Sequence, residues 1–143
     1  MAYSMVEDIL DQIDEAKLIQ LTDDEGEGTV NTARAEKAIA DADAFIDGYV
    51  GSRHRVPLDP VPGIVRGYSV DIAIYNLYAR RDVVPELRAD RFKNAVRFLE
   101  LVARGKRSLG AGDPEGNPPA ADAPELSNDN PERLFTRKSM GGF

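Results

Sequence analysis

The chain has 143 residues, no cysteine, one histidine and a formal net charge of −7. That length suits one domain with a modest core. Without cysteine there is no disulfide framework, no thiolate chemistry and no zinc site of the usual kind, and one histidine leaves little for a metal or triad site. No apolar run is long enough to span a bilayer. The start "MAYSMVEDILD" is acidic and amphipathic, unlike a signal peptide, so a cytoplasmic origin is expected.

The charge is unevenly spread. Residues 1–33 hold nine acids and one base, residues 34–105 ten acids and twelve bases, and residues 106–143 six acids and five bases. Affinity for nucleic acid comes mainly from neutralising phosphates, so an acidic chain is a poor general binder of it.

Helices read out in order. Ser4 caps a first helix, with Glu7 three residues on completing a capping box. Met5, Ile9 and Ile13 share one face of it, with Leu10 beside them. Asp14 caps a second short turn carrying Leu18, Ile19 and Leu21. Asn31 or Thr32 then caps a long helix with an apolar stripe of Ala35, Ala38, Ile39, Ala42, Phe45, Ile46 and Tyr49. Its alanines allow close approach of another helix. Three prolines in "RHRVPLDPVPG" (Pro57, Pro60, Pro62) make the following connector non-helical.

Pro62 opens the next helix, whose buried face is Ile64, Val65, Tyr68, Ile72, Tyr75 and Ala79. Pro85 opens the last, with Leu87, Phe92, Ala95, Val96, Leu99, Val102 and Ala103 facing inward. Gly105 stands where a stop is wanted. No strand pattern or repeat competes. The expected fold is all-α: a bundle of about four to five helices over residues 1–109, with a long extended arm over residues 110–143.

Within that arm, Gly110 to Glu132 holds five of the nine prolines and almost no large apolar side chain. Such a stretch buries too little to offset its ordering entropy, and reads as a flexible linker. As a coil of roughly 24 residues it reaches about 27 Å. Apolar character returns in "RLFTRKSMGGF", with Leu134, Phe135, Met140 and Phe143. A linker ending in a short aromatic-bearing peptide reads as a docking arm.

The acidic turn "DDEGEGTVN", Asp23 to Asn31, invites a calcium reading. An EF-hand loop needs oxygen ligands at positions 1, 3, 5, 7, 9 and 12 and glycine at 6. With Gly28 at position 6, position 12 falls on Arg34, a cation where the ion needs a two-oxygen clamp. Positions 3 and 5 are Glu25 and Glu27, each one methylene too long for a tight loop. The match fails where it is most demanding. A glycine-punctuated turn between helices is the simpler reading.

Other constellations carry little chemistry. Asp41, Asp43 and Asp47 on the third helix read as a solvated face. Asp71, set among apolar residues, is expected to pair with an arginine of a neighbouring helix. Ser4, Ser52 and Ser69 lie in no nucleophile elbow, and no glycine loop cradles phosphate, so an enzyme is not expected. Three basic knots, at Ser52 to Arg55, at Arg80 and Arg81, and at Arg104, Lys106 and Arg107, sit near helix C-termini, where cations complement the macrodipole. DNA binding would need all three on one face.

Three stretches carry a resemblance: "LIQLTDDEGEGTVN", "AIADADAFIDGYVGSRHRVPL" and "VRGYSVDIAIYNLYARR". Together they resemble the Mu-like prophage family of small head-associated proteins, grouped with the helical head–tail connector (adaptor) proteins of tailed phages. The likeness covers roughly Tyr3 to Leu109, and "LFTRKSMGGF" is similar to the family's ending. The family usually has an aromatic after the first arginine of "IDGYVGSRHRVPL"; here it is His54.

The resemblance implies a ring beneath the portal, commonly twelvefold, to which stopper or tail-completion proteins attach. It implies a place in the virion neck, synthesis in the bacterial host cytoplasm, DNA only as passing cargo, no cofactor, and a terminal arm that binds the portal. Leu134, Phe135, Arg137, Met140 and Phe143 match the end motif and would be the docking peptide. Tyr49, Arg53, Pro57 and Leu58 match the helix-end motif and would shape the fold or the ring contact. A calcium-binding regulator and a DNA-binding accessory protein are the alternatives.

Overall fold

The computed structural model describes residues 2–110; the linker and the expected docking residues Leu134, Phe135, Arg137, Met140 and Phe143 lie outside the described residues. Five helices follow in order: α1 (Val6–Leu10), α2 (Glu15–Thr22), α3 (Thr32–Val50), α4 (Gly63–Ala79) and α5 (Glu86–Ala103). The described residues contain no strand, and the all-α expectation holds.

Helices α3, α4 and α5 pack on one another, and α1 and α2 lie across α3 and α4. α4 is the centre. Val65, Ser69, Val70, Ile72, Ala73, Ile74 and Leu77 are all buried, which spreads around most of its circumference. A helix packed on several sides has no single apolar stripe. Ring pairs fix α4 antiparallel to α5: Tyr68 against Phe98, with centroids 4.9 Å apart, and Tyr75 stacked on Phe92 at 4.0 Å. Phe45 of α3 closes on Phe92 at 5.8 Å.

Local chemistry sets the helix ends. The Asn31 side chain accepts the Arg34 N–H at 3.0 Å, capping α3. Pro62 and Pro85 are the N-caps of α4 and α5, each one position outside the helix. At the end of α5, Gly105 takes φ +76°. Its N–H donates to Val102 O, and the Lys106 N–H donates to Leu101 O at 2.8 Å. This is a Schellman stop, with glycine at the left-handed position.

Three expectations need correction. Ser4 does not cap α1; Met5 is the N-cap, and its N–H donates to the Asp8 carboxylate at 2.8 Å. Ile64 and Leu87, expected inside, are 37% and 59% exposed. Both lie in the first turn of their helix, where side chains lean back toward the N-terminus and past the packed region. Met5 and Leu10 are also exposed, and Phe98, unassigned from sequence, is a core residue.

Candidate functional site

The N-terminal segment before α1 forms a strap over the α3–α4 seam. Its Tyr3 and Ser4 are buried. The Tyr3 hydroxyl donates to the Asp47 carboxylate, and the same oxygen accepts the Leu58 N–H at 2.9 Å. The Tyr3 N–H donates to Asp43 Oδ2 at 2.9 Å. Ser69 Oγ donates to Asp43 Oδ1 at 2.8 Å and lies 2.7 Å from Ser4 Oγ. A hydroxyl carries one proton. With the Ser69 proton given to Asp43, Ser4 is the donor in the serine pair.

One network thus joins the strap, α3, the proline connector and α4. Burial pushes the Asp43 carboxyl up, against the hydrogen bonds from Tyr3 and Ser69 that pull it down. Burial and the bond to Asp47 push the Tyr3 hydroxyl up. The solvated-face reading is therefore wrong for Asp43, which is 9% exposed, and for Asp47. It holds for Asp41, which pairs with Lys37 at 2.7 Å on an open surface. A signal was present: Asp43 stands four residues after Ile39 and three before Ile46, both on the apolar stripe.

A groove of about 680 Å³ runs beside the strap, between it and α3. Met5, Val6 and Ile39 supply apolar wall, and Glu7, Glu36 and Asp47 supply carboxylates.

The acidic turn closes on itself and on α4. Asp23 accepts the Glu27 and Gly28 N–H groups at 2.9 and 2.7 Å. Arg34 makes a two-pronged pair with Glu25, both contacts at 2.8 Å, and donates to Thr22 O at 3.0 Å. At the position where calcium needs a clamp, a guanidinium already occupies the neighbouring carboxylates. Arg34 itself is held firmly protonated by Glu25. Asp24 receives Arg80 at 2.6 Å and Arg81 at 2.9 Å. Arg80 and Arg34 hold Asp24 and Glu25 respectively below the usual carboxylate range.

The basic knots serve separate internal contacts. Arg80 and Arg81 pin the acidic turn. Arg107 lies over the Phe98 ring, 5.1 Å from its centroid. The Arg53 guanidinium sits against Gly105, so close that a Cβ there would lie 2.7 Å from Arg53 Cζ. Of the other helix-end residues, Leu58 is buried, Tyr49 is half-buried with its ring edge-on to Phe45 at 5.3 Å, and Pro57 is exposed. Asp71 pairs with Arg91 at 3.4 Å, as expected from its apolar surroundings.

Comparison with known proteins places these features in a family. The family model described as "Bacteriophage Mu, Gp36" matches residues 3–128. "Gene product J" of Escherichia phage Mu is 33% identical over 147 residues, covering 99% of each chain. "Mu-like prophage FluMu protein gp36" of Haemophilus influenzae is 36% identical over 85 residues, 59% of each chain. The strap, its carboxylates and the acidic turn all fall within the matched residues, and the chain belongs to the Bacteriophage Mu Gp36 family.

Proposed function

We propose that this protein is a non-enzymatic virion component of a Mu-like phage. It forms a ring beneath the portal, in the neck between head and tail, and gives stopper or tail-completion proteins their attachment surface. Family membership over nearly the whole chain is the observation that carries this reading.

The geometry suits such a role. A ring subunit needs two unlike faces that meet head to tail and close. Among the described residues, large apolar side chains stay exposed in three places: Met5 and Leu10 at α1, Ile64 at the start of α4, and Val83 and Leu87 around the start of α5. The strap network and the Asp24–Arg80 pair tie the small helices to the core, which makes a body able to hold such faces in register. Leu134, Phe135, Arg137, Met140 and Phe143 serve as the docking peptide, and the linker before them supplies the reach. An arm of this kind adds contact at high effective concentration once subunits have met.

The direct test mixes the purified protein with the portal protein of the source phage and images the product by negative-stain electron microscopy. Rings seated on one end of the portal are expected. No association at any protein ratio overturns the portal-bound ring.

A further inference from the structure

We propose that the groove between the N-terminal strap and α3 is the seat of this chain's own segment Arg133–Phe143. The inference rests on the docking-arm part of the proposed function and names the surface that the arm grips.

Charge selects the occupant. The groove presents Glu7, Glu36 and Asp47, and none of its lining residues is Lys or Arg. Glu7 and Glu36 have no cation partner among the described residues. Beyond Gly110 the chain divides into two blocks. Residues 111–132 carry six acids and no base, while residues 133–143 carry Arg133, Arg137 and Lys138 and no acid. The first block is repelled by the groove and the second is attracted.

Apolar content selects the same block. Met5 is 54% exposed at the groove edge, and Val6 and Ile39 line the wall. Ile39 is already buried, so Met5 and the half-buried Val6 are the apolar surface left open, and residues 133–143 offer Leu134, Phe135, Met140 and Phe143 to cover it. Length agrees as well. The α3 wall runs from Thr32 to Asp47, about 22 Å at the helical rise. Leu134 to Met140, taken extended, spans about 20 Å. A segment with cations between its apolar anchors thus lays both kinds of side chain along one wall of carboxylates and aliphatic groups.

The absence of native cysteine makes the full chain its own probe. Ala40→Cys places a thiol in the groove, and Ser139→Cys places one in the segment without removing an anchor. Asn94→Cys, on the exposed surface of α5, is the control partner for Ser139→Cys. Under mild oxidation the Ala40 pair should form its disulfide about tenfold faster than the Asn94 pair. A product at monomer mass means the arm binds its own chain, and a dimer whose peptide map joins the Ala40→Cys position of one copy to the Ser139→Cys position of the other means it binds a second copy; both support the seat, whereas dimers joined only through identical positions count against it.

Adding Glu7→Lys and Glu36→Lys should slow the Ala40 pair about fivefold. Both glutamates are exposed, and an unchanged far-ultraviolet circular dichroism spectrum shows that the fold is kept. Equal rates for the Ala40 and Asn94 pairs overturn the proposal and leave the groove to another partner. Particle assembly is not read in this experiment, so its failure leaves the connector reading standing.

Discussion

The Tyr3 hydroxyl donates to the carboxylate of Asp47, 44 residues further along the chain. That contact makes the N-terminal strap part of the core and not a loose end. The same oxygen satisfies the Leu58 N–H of the proline connector, so one side chain holds three segments.

Replacing Tyr3 by Phe keeps the buried ring and removes the hydroxyl. A half-buried carboxylate loses its donor, and a buried backbone N–H loses its acceptor. Unsatisfied buried groups of this kind cost about 1–3 kcal/mol. Urea unfolding of Tyr3→Phe should show that loss with an unchanged m-value. A midpoint equal to that of the parent would mean that water replaces the hydroxyl without cost.

Gly105 offers a second test. An alanine there meets both the φ of +76° and the Arg53 guanidinium. The guanidinium is the far end of a flexible side chain and can move. The left-handed backbone cannot, and costs about 1–2 kcal/mol for a residue with a Cβ. Gly105→Ala should therefore be destabilising by that amount in thermal or urea unfolding. Most of the loss should persist in an Arg53→Ala background.

The buried and exposed carboxylates titrate with opposite consequences. Asp24 and Glu25 have folded values below their unfolded ones. Their contribution is present above about pH 4 and is lost as pH falls through the folded values. Asp43 is shifted upward by burial, so its contribution is present at low pH and is lost as pH rises through its folded value. As pH rises from about 4, the ordinary carboxylate value, parent stability should therefore fall relative to that of Asp43→Asn. A melting-temperature difference that stays flat over that rise would contradict the upward shift.

Calcium gives a simple negative test of the acidic turn. With Asp23 bound to two backbone N–H groups and Glu25 held by Arg34, titration calorimetry at millimolar calcium should show no binding heat. Saturable heat would restore the regulatory reading of "DDEGEGTVN".

Much of the fold was legible where one residue decides one event. Asn31 reads as a cap, the prolines as helix starts and Gly105 as a stop, because each acts through local backbone geometry. What stayed hidden depended on contacts across the chain. Ser4 looks like a cap by spacing, yet its hydroxyl is used by Ser69, 65 residues away. Asp43 and Asp47 look solvated because nothing local says that a tyrosine from the N-terminus covers them. The basic knots read as helix-end cations, and only the folded chain reveals Asp24 as the partner of Arg80 and Arg81.

The proposed role in joining heads to tails is tested most directly by electron microscopy of a lysate from the source phage with this gene deleted. The account predicts completed heads and completed tails that never join, with infectivity restored when the gene is supplied in trans. Normal infectious particles from the deletion phage would contradict it.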